Sequence, residues 1–426
     1  MLQTPRGTAD VLPNEQTYWS YVTAHFKTIC ESYGYGEIRT PVFEDTRLFQ
    51  RTVGEGTDIV EKEMYTFADR GGDSLTLRPE GTAPVVRAYL EHGMHRLPQP
   101  VKLSYIASIF RYDRPQAGRL RQHHQFGVEA LGEEAATIDA EIISLLLQLY
   151  RSVGLTEVAL QLNSIGDAAC RPQYIAELAS YYRAHVQALC DNCQTRLERN
   201  PLRLLDCKED ACQPFIEQAP HTLDNLCGDC DAHFGVLKNS LEAMGIGYTL
   251  NHTLVRGLDY YTRTVFEVWP RAVGRQSALG GGGRYDALAR QIGKRDVPGI
   301  GFGTGIERII LNLQRQGVAP GEHRPFSVFI ATLGERAATY GTGLVNDLRQ
   351  RGVRALMTYR PRSLKAQLRQ AGNHQADYAV IIGDDELAVG QVLLRDLGSS
   401  TQENVTAADL VQTLERLRTE NDHGIA

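Results

Sequence analysis

Apolar residues recur at helical spacing over residues 14–33, at Tyr18, Val22, His25 or Phe26 and Ile29, and Gly34 and Gly36 close the run. GEIRTPVFE follows as an extended segment in which Pro41 removes a ladder donor. Residues 75–82, LTLRPEGT, read as a strand entering a turn, with Arg78, Glu80 and Thr82 on one face. Two longer strand-like runs, 101–113 and 120–132, are joined by the turn RPQAGRL into a hairpin. Alternation divides its second arm: Arg121, His123, Gln125 and Glu129 share one face, and Gln122, His124, Phe126 and Val128 the other. Residues 138–153 carry a helical stripe at Ile138, Ile142, Leu145, Leu146 and Leu149, and Val158, Leu160 and Leu162 then alternate as a strand.

From 168 to 250 the pattern turns helical and charged, which predicts a mainly helical insertion. Strand signals return over 248–269 and continue through the glycine run 280–283. GIGFGTGIERIILNL reads as a short strand, a glycine turn and a helix from Ile306. Past Pro320, strand and helix alternate through FSVFIATL, 337–351, RALMTY, 364–371, DYAVIIG, GQVLLRDL and 407–419, predicting a separate small α/β domain. With PGEHRP as linker, the expected domains are 1–322, containing the insertion, and 325–426.

A chain of 426 residues, 42% hydrophobic, has material for two or three cores. No membrane-length apolar run is present and MLQTPRGTADVLP is polar and turn-rich, so a cytoplasmic location without membrane contact is expected. A formal charge of −6 argues against broad attraction to nucleic acid. One local patch runs the other way: Arg349, Arg351, Arg354, Arg360, Arg362, Lys365 and Arg369 fall between Asp347 and Asp377 with no acidic residue among them. The sequence holds no G-x-x-x-x-G-K-[ST] loop, and its glycine runs do not open a helix in a βαβ unit, so any nucleotide must be held by arginines on a sheet.

The hairpin has the residues for that. Arg111 ends its first arm and Arg114 and Arg119 lie in the turn, so guanidinium groups border a floor of carboxamide and carboxylate, which suits a zwitterion beside a polyphosphate. A salt-bridged surface hairpin is the alternative, but Arg111, Arg114, Arg119 and Arg121 would repel one another with Asp113 alone between them. The pattern FRYDRPQAGRLRQHHQFGVE resembles motif 2 of the class II aminoacyl-tRNA synthetases in its histidyl-tRNA synthetase form. LVRGLDYYTRTVFE and ALGGGGRYDAL are similar to that family's two histidine-specific peptides, GIGFGTGIERI resembles motif 3, and the helix, strand and Pro41 near the N-terminus resemble motif 1.

The resemblance implies an α+β catalytic domain with an antiparallel sheet, a helical insertion and a C-terminal α/β anticodon-binding domain, working as a homodimer. Histidine–tRNA ligase activity is expected, with L-histidine, ATP, Mg2+ and tRNA(His) as substrates and partners. Arg111 would meet the α-phosphate, Arg256 would act there as a catalytic cation, and Arg119 and Arg308 would hold ATP. Glu80, Gly81, Thr82, Gln125 and Glu129 would bind the amino end and ring of histidine, and Tyr260, Tyr261 and Tyr285 would wall the pocket. Gln116 and Arg119 would also face the acceptor stem. Asp113 departs from the family's usual glutamate before RPQ, shortening a carboxylate near the turn. A non-catalytic paralogue serving histidine biosynthesis would share the fold, but such proteins typically lack the arginine peptide and the C-terminal domain.

Six of the eight cysteines fall in the insertion as three spaced pairs, Cys190-x2-Cys193, Cys207-x4-Cys212 and Cys227-x2-Cys230. The two Cys-x2-Cys pairs have the spacing of a structural zinc site, making Cys190, Cys193, Cys227 and Cys230 the candidate ligands. Cysteines buried without metal are the alternative.

Overall fold

The computed structural model describes residues 2–54, 57, 59–115, 118–271, 278–321 and 325–423, and the chain divides into two compact units, Met1–Pro320 and Gly321–Ala426. The first unit opens with helix α1 (Gln16–Ser32), strands β1 (Gly36–Glu37) and β2 (Phe43–Asp45), helix α2 (Thr46–Val53), hairpin β3 (Tyr65–Ala68) and β4 (Ser74–Leu77), and helix α3 (Thr82–Glu91). The long pair β5 (Val101–Phe110) and β6 (Gln122–Leu131) leads into α4 (Ala136–Ser152) and β7 (Val158–Ser164). The insertion carries α5 (Arg171–Arg183), α6 (Asp191–Arg199), α7 (Gln213–Glu217) and α8 (Gly228–Ala243). The chain then returns through β8 (Thr249–Leu250), β9 (Thr262–Pro270), β10 (Gly280–Arg284), α9 (Leu288–Gly293), β11 (Gly299–Gly305) and α10 (Ile306–Arg315).

Eight strands form the main sheet in the order β1-β5-β6-β11-β10-β9-β7-β8. Its six central strands are antiparallel, while β1 and β8 lie parallel to β5 and β7 at the edges. Alternation sorts the two faces. Phe126, Val128, Phe266, Val268, Ile300 and Phe302 turn toward Val22, Phe26, Ile142, Leu146, Leu149, Ile309 and Leu313 of the helices and make the largest core. Gln125, Glu129, Val265 and Glu267 alternate with them and face the other way.

Two sequence expectations change here. The segment 75–82 is a strand entering a turn, but the turn comes early enough that Arg78, Glu80 and Thr82 share no strand face: β4 stops at Leu77, and the Glu80 carboxylate accepts hydrogen bonds from the backbone N–H groups of Thr82 and Ala83 (2.7 and 2.8 Å), fixing the start of α3. Arg78 therefore leaves that face and donates to the carbonyls of Ser108, Thr40 and Pro41. The glycines of GIGFGTG form no turn either; they are the strand β11, which runs straight into α10.

A buried ion pair fastens α4 to this sheet. Arg284 and Asp139 are both fully buried, 2.5 Å apart, and the guanidinium also donates to Asp286 and to the Glu133 carbonyl.

In the second unit, β12 (Ser327–Leu333), α11 (Glu335–Gln350), β13 (Arg354–Met357), α12 (Leu364–Asn373), β14 (Tyr378–Gly383), α13 (Asp384–Ala388), β15 (Gln391–Asp396), β16 (Gln402–Thr406) and α14 (Leu410–His423) follow in turn. The sheet order is β13-β12-β14-β15-β16. Its first three strands are parallel, as strand–helix alternation requires, and the last two are antiparallel. The edge strand β16, QENVT, is too polar for its pattern to mark it. In the proposed linker, residues 322–324 lie outside the described residues.

Asp139→Ala leaves the buried Arg284 charge with Asp286 as its remaining carboxylate partner, so unfolding free energy should fall by about 3 kcal/mol, the low end for a broken buried pair. Equilibrium urea unfolding of the full chain measures it, and a loss under about 1 kcal/mol would contradict this role for the pair.

Candidate active site

The open face of the main sheet carries a cleft lined by Arg111, Arg119, Arg256 and Arg308. They come from the end of β5, the hairpin turn, the segment before β9 and the first turn of α10. Two are held by backbone carbonyls rather than carboxylates. Arg111 Nε donates to Pro79 O at 2.7 Å, and Arg308 donates to Gly118 O at 2.8 Å and Ala278 O at 2.7 Å. Such anchoring fixes a guanidinium without neutralising it, and burial pulls the pKa of each below the usual arginine value.

Arg119 and Arg256 do have acidic partners. Arg119 pairs with Asp113 at 3.0 Å, so the shortened carboxylate at position 113 still reaches the turn arginine. Arg256 pairs with Glu267, its cation stands 5.7 Å from the centre of the Tyr261 ring, and its Nε is buried with no hydrogen-bond partner among the described residues. Between the cations, burial and the charges of Arg111 and Arg308 push the His123 imidazole down to about 3. It is neutral at physiological pH, a polar group that does not add to the repulsion.

Beside the cations lies a pocket of opposite character. Glu80 and Glu129 are 3% and 0% exposed, and both contact Thr82. Glu80 accepts from its N–H, and Glu129 from its hydroxyl at 2.8 Å. The phenol of Tyr105 donates to Glu129 at 3.2 Å, Tyr285 donates to the other oxygen, and Tyr260 reaches Glu80 at 3.4 Å. Burial raises the pKa of both carboxyls; for Glu129, with Glu80 adding like-charge repulsion, it is pushed up to about 8. Among the described residues no cation is paired with Glu129, so the pocket is matched to a ligand that brings one. Tyr260 packs against Tyr261 and Tyr285 with ring centres 4.9 and 5.8 Å apart, closing an aromatic wall around it.

The floor between these groups is bare backbone. The run 280–283 is a central strand, not a loop, and a Cβ on Gly281 would sit 2.6 Å from Phe266 O and 2.9 Å from Arg256. One on Gly283 would lie 2.9 Å from the Tyr261 ring, one on Gly301 1.8 Å from the Glu129 carboxylate, and one on Gly303 1.5 Å from the Gln125 amide. Register explains why: Glu129 is opposite Gly301, and Glu267 is opposite Gly281. Side chains from neighbouring strands lie flat across the glycines.

The structure thus brings Arg111, Arg119, Arg256, Arg308 and Gln125 around one cleft. Glu80, Gly81, Thr82, Glu129, Tyr260, Tyr261 and Tyr285 form the adjoining pocket, with Gly81 directly beneath the Tyr105 ring. Gln116 lies outside the described residues. Glu307 is not the partner of Arg308; it binds the backbone N–H and ring nitrogen of His124 at 2.9 Å. Sequence reasoning placed His123 on the polar face without giving it a role and passed over Tyr105 and Glu267. Tyr105 was legible only through its pairing with Gly127, whereas Glu267 is a lone charge in the apolar strand TRTVFEVWP, a signal available in the sequence.

The cysteine expectation needs correction. Cys190 and Cys193 do not meet Cys227 and Cys230. Cys190, Cys193, Cys207 and Cys212 converge in one group, and Asp167, Cys170, Cys227 and Cys230 in another. Each Cys-x2-Cys sits at the start of its own helix, α6 or α8, and the two helices belong to different ends of the insertion.

An antiparallel sheet with a cleft of arginines on one side and buried carboxylates on the other is the arrangement of a class II aminoacyl-tRNA synthetase catalytic domain. Residues 7–309 match the family model described as "Histidyl-tRNA synthetase", and residues 327–417 match "Anticodon binding domain". The chain belongs to the histidyl-tRNA synthetase family. It is 54% identical over 411 residues to the histidine–tRNA ligase of Dehalococcoides mccartyi, covering 96% of this chain and 98% of that one. Its identity to the histidine–tRNA ligase of Pelotomaculum thermopropionicum is 52% over 416 residues, 97% and 98% of the two chains. Among solved structures, apo histidyl-tRNA synthetase of S. aureus superposes with a TM-score of 0.82 at 38% identity, covering 97% of this chain and 100% of that one.

Glu129 yields a pH-dependent prediction. With its pKa near 8 in the free protein, the carboxyl is mostly protonated at pH 7, and a bound cation favours the ionised form. Binding of L-histidine at pH 7 should therefore release protons, and the release should fade as pH rises past about 8. Calorimetric titrations in buffers of differing ionisation enthalpy measure this, and Glu129→Gln should abolish the buffer dependence. A wild-type heat independent of buffer would rule out the assignment.

Proposed function

We propose that the chain ligates L-histidine to tRNA(His): histidine and MgATP form histidyl-adenylate and pyrophosphate, and the histidyl group then passes to the tRNA 3′ end. The observation that carries this reading is the adjacency, on one sheet face, of an unpaired buried carboxylate and a cleft of guanidinium groups. The first step brings two anions together, because the histidine carboxylate attacks the α-phosphorus of ATP. Arg111 and Arg256 oppose the charge that accumulates there, and Arg119 and Arg308 hold the rest of the polyphosphate. A fixed donor of this kind lowers a barrier by about 3 kcal/mol.

Glu80, Glu129, Thr82 and Gln125 take the ammonium and imidazole of histidine, with Gly81 giving close backbone approach. Tyr260, Tyr261 and Tyr285 exclude water and shape the pocket. Directed hydrogen bonds of this type reject an amino acid lacking the ring nitrogens by a factor on the order of 10⁴ or more. Magnesium enters with the triphosphate. The acidic side chains of the cleft are Asp113, paired with Arg119, Glu267, held by Arg256 and Trp269, and Glu307, bound to His124; these carboxylates would be the protein's candidates to support the ion, which would offset phosphate charge.

For tRNA, the basic patch of the second unit is narrower than its sequence suggests. Arg349 donates to the Ala355 carbonyl and Arg351 pairs with Asp347 and Glu415, so both serve the fold. Arg354, Arg360, Arg362, Lys365 and Arg369 remain exposed, and Tyr359, 83% exposed, stands beside Arg360. Cations around a free aromatic face are the usual means of holding an unstacked base. A homodimer in the cytoplasm is the assembly that fits this reading. Val42, Phe43 and Phe67 leave an apolar surface on the small sheet of β2, β4 and β3, and no helix among the described residues is long and apolar enough to cross a membrane.

Amino-acid-dependent exchange between ATP and pyrophosphate tests the core of the proposal. Histidine should support it; exchange with another amino acid alone would refute the pocket assignment, and none with any would refute the enzyme. Arg256→Ala should lower kcat about a hundredfold and leave the histidine KM nearly unchanged, as expected for a group acting in the transition state; a loss confined to KM would contradict that. Tyr359→Ala with Arg360→Glu and Arg362→Glu should leave exchange intact and reduce tRNA charging more than tenfold at physiological salt. Undiminished charging would remove this surface from tRNA recognition.

A further inference from the structure

The four donor atoms of each cysteine group lie within 4.8 Å of one another. Cys190 and Cys207 sulfurs are 3.9 Å apart, and Cys170 and Cys230 sulfurs 3.8 Å. A disulfide bond is about 2.05 Å, and all eight cysteines are free thiols. Four ligands at a Zn–S distance of about 2.3 Å in a tetrahedron stand about 3.8 Å from one another. The observed spacing is that of a tetrahedral cage. Thiols buried only as small apolar groups have no reason to converge in fours.

Local structure supports the same chemistry in both places. Cys190 and Cys227 are the residues just before α6 and α8, and Cys193 and Cys230 lie in the first turn of each. Thiolates there meet the positive end of the helix. In the first group the Cys190 N–H points at the Cys212 sulfur, 3.4 Å away. In the second, Asp167 replaces a fourth thiol. One of its oxygens faces the Cys170 sulfur at 3.8 Å and accepts the Ala169 N–H, while Arg263 holds the other at 3.2 Å. A carboxylate oriented by an outer arginine is the usual support for a metal ligand.

We propose that the chain binds two structural zinc ions, one on Cys190, Cys193, Cys207 and Cys212 within the insertion, the other on Asp167, Cys170, Cys227 and Cys230 at its base. Soft thiolates in tetrahedral array select zinc. The second ion draws its ligands from the loop after β7 and from the start of α8, so it clasps the two ends of the helical insertion together. It also lies behind the histidine pocket. Arg171, adjacent to Cys170, donates to the Tyr261 carbonyl at 2.6 Å and to the Ile165 and Gly166 carbonyls, and Arg263 belongs to the same peptide as Tyr261. The ion thereby positions the segment that carries Arg256 and Tyr261.

Elemental analysis of the full-length protein, purified without chelator, should give two equivalents of zinc per chain. Cys193→Ser and Cys230→Ser should each reduce this to one. Fewer than about one half equivalent in wild-type protein would overturn both sites, and one equivalent that Cys193→Ser alone removes would overturn the second. Exchange of cobalt(II) into the wild type keeps the proposal testable should either variant fail to fold. Two equivalents should bind with tetrahedral ligand-field bands and thiolate charge-transfer bands, whereas an octahedral spectrum would refute the cages. Cys230→Ser should also raise the histidine KM several-fold with a smaller change in kcat. That expectation rests on the histidine reading, while the metal stoichiometry does not.

Discussion

Two carboxylates buried side by side, neither in an ion pair among the described residues, are the constraint around which the catalytic unit is organised. The groups that hydrogen-bond Glu80 and Glu129 are neutral donors: two backbone N–H groups, a threonine hydroxyl and three phenols. That shell is enough to keep the site folded, yet it leaves Glu129 protonated near neutral pH. A ligand bearing positive charge releases the stress, so amino-acid affinity is stored in the empty pocket as unfavourable burial. The neighbouring cleft holds the same device with the sign reversed. Arg111 and Arg308 are tethered by carbonyls, and their charge waits for phosphate. The substrate that joins the two is an amino acid about to become a mixed anhydride with a nucleotide.

Most of this was legible in the sequence because the site is carried by strands. Period-two alternation put Gln125 and Glu129 on one face and Phe126 and Val128 on the other, and the structure keeps that division. Arg256, Tyr261 and Tyr285 were found through their peptides, not through any periodicity. What failed to show has physical reasons. Thr82 looked like a strand residue because LTLRPEGT alternates, but a side-chain cap from Glu80 ends the extended run and starts a helix. The edge strand β16 lacks an apolar face, so pattern reading passes over it.

The cysteines are instructive in another way. Spacing within a Cys-x2-Cys pair is local and is set by a helix turn, so each pair could be recognised. Which pairs meet depends on how eighty residues of insertion fold back on the sheet, and no local rule carries that information. The actual partners of Cys227 and Cys230 are Asp167 and Cys170, at the junction where the insertion begins.

The glycine floor limits how the pocket can change. At Gly281, Gly283, Gly301 and Gly303 even a methyl group collides with a side chain of the site or with backbone, so these positions have no smaller residue to accept and no larger one to tolerate. The glycines are what let the side chains of Glu129, Gln125 and Tyr261 lie flat against the sheet. A lineage drifting toward another amino acid would have to work from the walls, at Gln125, Tyr261 and Tyr285, and the two tyrosines also hold Arg256 and Glu129 in place. Altered specificity would require coordinated replacement of several residues at once, which makes this site slow to diverge and its choice of substrate historically durable.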